Sequence, residues 1–531
     1  MDFRGRTDPS QSMRSNADGV GTRWLARQRG GWSQGTTFRT HSGPGQGLQP
    51  TAIGVGDGHW IEFLSLDWSD GVLQTEARLQ PSAAVKTIVE TQRQISSCPL
   101  IFAWDGGGFL FETDCLGVGG LGYLAGIDVD ADGRLRPVYA PPRPRESVKL
   151  RTPLAARDGT FELRLGEPME EACYVDAAAL DEWWIPPGWH LCLDERMSLG
   201  GPEPSGEARF WRRSQALSAA EITDAAGSRD ARTALLEADG AALPPGPVDP
   251  RFIGRLASAT QLTLEFPEPI DAASGPALLP ALLPALLVDG WVEYPYSQTT
   301  FAMWQAGRLP QGPRLEAQDP ASGEWRTLTE AYGYPAGMAR ESLFPLRGPG
   351  VAPLPAGCRR LRITTDLELY LDRVRLVQLE PCPDAQRHSC PLRTATLATA
   401  GYPQRLPAAQ KRALFRYDER RPLWDCRTQP GRYTALGECT PLLAEDGALA
   451  IFGPGEELRL RFQSATGRQD LPQGFTRTWV LSLRGWCKDM DRYTGDGGQL
   501  EPLPRDPAAP PAPGAAALEA RFNVRAAGGR E

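Results

Sequence analysis

Histidine is scarce in this chain: 531 residues hold four, His41, His59, His190 and His388. None stands in an H-E-x-x-H, a G-x-S-x-G or a Cys–His protease context, so the usual metallohydrolase and nucleophile motifs do not apply. Phosphate-cradling loops are missing too. The Gly-rich run Gly117–Gly122 has neither the P-loop lysine nor a helix pattern after it. Long apolar runs are lacking. The longest, Pro276–Val288 (PALLPALLPALLV), would reach about 20 Å as a helix against a ~30 Å bilayer core. Pro280 and Pro284 would also break it, so no transmembrane segment is expected and the run reads as an inserted loop of repeated ALLP. Positive charge is in deficit, with 57 Lys and Arg against 65 Asp and Glu and a formal net charge of −8. The clusters Arg212-Arg213 and Arg359-Arg360 are short and separate, so no nucleic acid is expected as a partner. Apart from ALLP there is no internal repeat, and no blade-length period.

What is abundant is turn-forming residue: 57 Gly and 49 Pro. That composition favours short strands joined by turns. Period-two alternation recurs, as in Phe161-Glu162-Leu163-Arg164-Leu165, Leu262-Thr263-Leu264-Glu265-Phe266 and Leu458-Arg459-Leu460-Arg461-Phe462. Each is the pattern of a half-buried antiparallel strand. Two segments carry helical signals. Ser218-Ala219-Ala220-Glu221 has capping-box spacing and opens a polar stretch to Leu236, and a shorter helix is expected after Pro407 through Ala408–Leu414. The fold class expected is mainly β: several antiparallel β-sandwich-like domains, few short helices and a disordered tail. Boundaries are placed at 1–81, 82–245, 246–380, 381–501 and 502–531. The last segment is dominated by Pro and Ala and has too little apolar area to offset its ordering entropy.

Four ordered blocks near the N-terminus carry a family resemblance: Asn16–Thr22 (NADGVGT), Ser42–Gly47 (SGPGQG), Ala52–Gly56 (AIGVG) and Ile61–Gly71 (IEFLSLDWSDG). In order and spacing these are similar to the ASPIC/UnbV domain of the cartilage acidic protein-like family, with Ser69 where Pro is more usual. The resemblance covers the first eighty or so residues. It implies a β-rich module that in relatives follows calcium-associated propeller repeats, which this chain lacks, and an exported, extracytoplasmic setting. The region after Cys98 looks like the long C-terminal extensions of some bacterial members. The opening Met1–Arg6 has no apolar h-region, so the expectation is a fragment of a longer protein or a misassigned start. Ten Cys suit disulfides outside the cytosol.

Three constellations offer chemistry. Asp128-Val129-Asp130-Ala131-Asp132-Gly133 is the front half of a calcium loop, in which alternate carboxylates converge on a hard cation. Arg136 and Tyr139 stand where the later ligands would, so the alternative is a solvated acidic turn. Trp183, Trp184 and Trp189 flank Pro186-Pro187 and precede His190; such rings either stack on sugars or close a sandwich core. Cys382, His388 and Cys390 could supply three zinc ligands, but a Cys382–Cys390 disulfide or two free thiols fits the spacing better. The paired acids Glu170-Glu171, Asp194-Glu195 and Asp489 with Asp491 have no established separation in space. The functional expectation is a non-catalytic extracytoplasmic protein that binds a glycan or a protein ligand. It requires no cofactor, and Ca2+ is the one ion the acidic loop offers. The rivals are a carbohydrate-active enzyme on a sandwich scaffold and a calcium-stabilised structural module.

Overall fold

The computed structural model describes the chain apart from residues 6–15, 38–49, 57–59, 70–72, 83, 91–97, 199–202, 271–281, 294, 407, 422–427, 466–470 and 528–531. The protein is mainly β, built of several antiparallel sheets, with two α-helices among the described residues, Ser297–Gln305 and Ala515–Phe522. Neither is long and apolar enough to cross a membrane.

The N-terminal unit is a four-stranded sheet in the order Gly31–Thr36, Arg23–Gln28, Ile61–Asp67, Leu73–Leu79. Its core gathers Phe3, Ala26, Ile61, Leu64, Leu66 and Trp68. Within the first block of the resemblance, Asn16 Oδ1 accepts from Val20 N at 2.8 Å and closes a turn. Gly19 sits in that turn at φ +59°, where a Cβ would lie 2.5 Å from the Phe3 carbonyl oxygen, so only glycine fits. The Ser42–Gly47 block and Asp70-Gly71 lie outside the described residues.

The next unit is a two-layer sandwich. One sheet runs Gly437–Glu438, Leu392–Thr399, Glu456–Gln463, Thr160–Gly166, Leu100–Trp104, Phe109–Asp114. The other runs Arg145–Lys149, Thr476–Asp489, Glu171–Ile185, Gln386–Cys390. Alternation explains the packing: Phe161, Leu163 and Leu165 face Leu458, Leu460 and Phe462 across paired strands and enter one core. Each such side chain contributes about 1.5–3 kcal/mol on burial.

The third unit is a ten-stranded sheet curled around its own core. Its axis is the twenty-residue strand Arg360–Leu379. The first half of that strand pairs with Arg255–Glu265 and Arg314–Gln318, the second half with Leu283–Glu293 and Ala208–Gln215. At the crossover, Gly290 lies so close to the Tyr370 carbonyl that a Cβ would come within 2.5 Å of it, and the register slips there by a bulge.

The expected domain boundaries need correcting. Strands before residue 190 share both sandwich sheets with strands after residue 386, and the ten-stranded sheet spans His190–Leu379. Sequence order hid this, because antiparallel partners are chosen by face and register. The Ser218–Leu236 helix is instead a hairpin of Ala219–Asp224 and Gly227–Asp230. Ala220 and Ile222 alternate inward and Gly227 turns the chain at φ +118°, while Ser218 Oγ donates to the Glu265 carbonyl rather than capping. The helix after Pro407 shrinks to a 3-10 turn, Ala409–Lys411, held by Trp291 Nε1 donating to the Gln410 carbonyl at 2.9 Å. The described part of the ALLP run is no loop: from Leu283 it is strand, exposed at Leu283 and then, from Ala285, paired on both sides and buried through Val288.

The tail is ordered where described. Helix Ala515–Phe522 docks Ala515 into the sandwich core, and Arg525–Ala527 pairs with Gly431–Tyr433. Asn523 donates to the Leu449 carbonyl at 3.0 Å and accepts from Thr434 Oγ1 at 2.7 Å. Such anchors supply the ordering free energy that composition did not promise.

Candidate functional site

A cleft opens where the sandwich meets the ten-stranded sheet. It has two sections of about 390 and 290 Å³ that share Lys149, Arg151, Glu341 and Arg373. Strand geometry sets its charge pattern. Glu341, Asp289 and Arg373 form one row across three neighbouring strands, and Arg375 follows Arg373 on the same face two residues on. Trp211 pairs with His190 on the next strands, and the His190 ring stacks on it at 4.2 Å between centroids.

Most of these charges are neutralised in place. Arg373 Nη2 meets Asp289 at 2.7 Å. Lys149 Nζ pairs with Glu341 and donates to the Leu191 carbonyl at 3.0 Å. Arg151 lies 3.9 Å from Glu112, whose carboxylate also accepts from Arg151 N and Thr152 N. Two arginines of the cleft are exceptions among the described residues: Arg412, whose Nε is buried with no hydrogen-bond partner, and Arg375. The Arg375 Nε is likewise buried with no hydrogen-bond partner, and its guanidinium rests over the Trp211 ring at 5.2 Å. Burial, then repulsion by Arg373, pulls its pKa down against the attraction of Asp289 and Glu341. His190, exposed on its outer face, is likewise held below its ordinary pKa by burial and then by Arg375 and Lys149. An anion entering here meets a cation that the protein has desolvated without pairing.

The three tryptophans named from sequence separate. Trp183 and Trp184 are neighbours on one strand and so point to opposite faces. Trp183 packs on Phe210 at 5.4 Å. Trp184 is buried on His388 and donates from Nε1 to Glu182 at 2.6 Å. Only Trp189 of the three lines the cleft, its ring capped by Arg212 at 4.8 Å. Trp211, Arg373 and Arg375 were not foreseen; no local motif joins residues that meet only through sheet register.

The acidic loop is a hairpin tip between Leu124–Val129 and Leu135–Tyr139. Asp130 accepts from Asp132 N at 3.0 Å, Arg134 N at 2.9 Å and Arg136 Nε at 2.7 Å, and Asp128 accepts from Val129 N at 2.8 Å. The Arg134 amide, followed by Arg136, holds the Asp130 carboxyl below its usual range. These contacts occupy Asp130 with the turn itself. Cys382 and Cys390 are free thiols, with no disulfide between them, and Cys390 packs into the sandwich core.

No family model matches the chain, and no curated protein does. Two solved structures are similar at 10% identity: those of infectious bursal disease virus Gt strain, covering 73% of this chain and 74% of that one at a TM-score of 0.10, and Gx strain, covering 72% and 74% at 0.11. Scores of that size carry no argument about fold or function.

Proposed function

We propose that the protein is a non-catalytic binding protein whose cleft takes an acidic saccharide. The observation that carries this reading is Arg375, desolvated and without a hydrogen-bond partner at Nε, beside the His190–Trp211 stack. A carboxylate- or sulfate-bearing sugar would place its anion on Arg375 and its ring face on His190 and Trp189. Thr476, Thr478 and the Lys149–Glu341 pair add donors and acceptors suited to ring hydroxyls. A glycoside hydrolase needs two carboxyls across the scissile bond. The section lined by Trp189 and Trp211 offers Glu341, already ion-paired to Lys149, and this supports binding over hydrolysis. An extracytoplasmic setting and the ASPIC/UnbV-like start belong to the same proposal, as does a glycan rather than a protein ligand.

Calorimetric titration with a uronate-containing oligosaccharide tests it, beside the neutral oligosaccharide of the same backbone. Binding of the acidic sugar is expected to weaken roughly ten- to hundredfold in Arg375→Gln, the loss of one charge-assisted contact. Equal affinity for acidic and neutral sugars, or no effect of the substitution, would overturn the reading.

A further inference from the structure

A second concentration of chemistry lies inside the sandwich, where the sequence offered only separate residues. The strands Glu171–Ile185 and Thr476–Asp489 pair Glu171 with Asp489 and Cys173 with Cys487, so all four side chains share one face of the ladder. Cys98, just before the strand Leu100–Trp104 of the opposing sheet, reaches the same point: its Sγ is 4.0 Å from Cys487 Sγ. A Glu171 carboxylate oxygen and the two sulfurs all lie within 4.8 Å of one another, and all three residues are buried. Glu167 adds a further carboxylate, accepting from Cys173 Sγ at 3.1 Å. We propose that Cys98, Cys487 and Glu171 form a zinc site that ties the two sheets together.

The distances fit the ion. Zinc–thiolate bonds of about 2.3 Å at tetrahedral angles separate two sulfurs by about 3.8 Å, whereas a disulfide would require about 2.05 Å. Two sulfurs and one carboxylate are a borderline-soft donor set that favours zinc over calcium or magnesium. Charge argues the same way. Thiols in a core normally pack as small apolar groups, but here they sit among carboxylates that burial makes costly to ionise. Glu167 and Glu171 are both buried. A divalent cation relieves that cost directly.

The site also has room. A cavity of about 90 Å³ is lined by Cys98, Cys487, Glu171 and Asp489, with Tyr123 and Tyr334 on its wall. The fourth coordination position therefore faces a space that holds water or a small donor, or Asp489 swings in to fill it. Binding exchanges protons for metal: both thiols lose their proton as two zinc–sulfur bonds form, so each ion bound releases two protons. Because binding releases protons, uptake of zinc should strengthen as pH rises.

The experiment uses the full chain, reduced and stripped with a chelator, then titrated with zinc and, separately, with cobalt(II). One ion per chain is expected, with cobalt giving thiolate charge-transfer and tetrahedral d–d bands and zinc raising the melting temperature by several degrees. Cys98→Ser and Cys487→Ser should each lose the thiolate bands and at least a hundredfold in affinity, while Cys358→Ser, in the other core, keeps both. If the serine variants fail to fold, the cobalt spectrum of the unmutated protein still decides. A spectrum without thiolate bands, uptake unaffected by Cys98→Ser with Cys487→Ser, or a Cys98–Cys487 disulfide whose reduction does not restore binding would each overturn the site.

Discussion

The cleft and the thiol cavity use similar ingredients in opposite charge patterns. In the cleft, charges sit on neighbouring strands with water nearby, and nearly all find a partner of opposite sign: Arg373 with Asp289, Lys149 with Glu341, Arg151 with Glu112. Two cations are left over, Arg375 and Arg412. In the cavity the donors share a sign. Thiols and carboxylates converge on a small buried cavity, with Arg143 as a cation in its lining. On the two proposals, the cations left unpaired suit the first region to an anion, and the crowded donors suit the second to a cation.

The comparison breaks most visibly at the ion pair that separates the regions. Arg340 on the ten-stranded sheet meets Glu146 on the sandwich at 2.6 Å, and both are largely buried. Replacing Arg340 with Met leaves Glu146 as an uncompensated buried charge and is expected to cost about 3–5 kcal/mol in chemical denaturation. A cost under 1 kcal/mol would mean that the junction is wetter than described.

Glu195, in the same cleft wall, sharpens the contrast through pH. Burial, then Glu146, raises its pKa to about 7 against the pull of Arg143 and the Ser147 amide. The folded state then holds a proton that the unfolded chain has released between about pH 4.5 and 7. This contribution is full below pH 4.5 and is lost as pH rises through 7, amounting to at most about 3 kcal/mol. Glu195→Gln should flatten that decline in denaturation midpoints measured across the window; an unchanged slope would place the titration elsewhere.

Next in size is Arg375→Gln, worth about 1.5–3 kcal/mol of acidic-sugar affinity, with little change in stability because it removes a half-buried charge that has no ion-pair partner. The smallest effect belongs to His190. Its depressed pKa leaves it neutral at pH 7, so acidification that protonates it should tighten anion binding a few-fold, and His190→Ala should abolish that pH dependence, the binding that survives loss of the ring face still depending on Arg375. Tightening that persists in the alanine variant would assign the proton to another group.

Much of the architecture was legible because burial leaves a period in the sequence. The alternation at Phe161–Leu165 and Leu458–Phe462 named two strands that turned out to be partners. Where the period was masked the reading slipped: Ala at 219, 220, 225 and 226 let the hairpin after Ser218 pass for a helix. Of the residues singled out in the sequence, Trp189, His190 and Glu195 lie on the cleft. Trp183 and Trp184, adjacent in sequence, could not share a face with each other on a strand. Asp130 kept its turn but is engaged by its own hairpin.

By itself, then, the sequence determined that this is a strand-and-turn protein without long apolar helices, because alternation, Gly and Pro act over a few residues. The tertiary structure decided which strands are partners, and with them everything that depends on partnership. It joined Cys98 to Cys487 across 389 residues and left Arg375 unpaired beside Trp211. Register brings distant residues to one point and water exclusion sets the value of their charges, and neither is written in any local stretch of the chain.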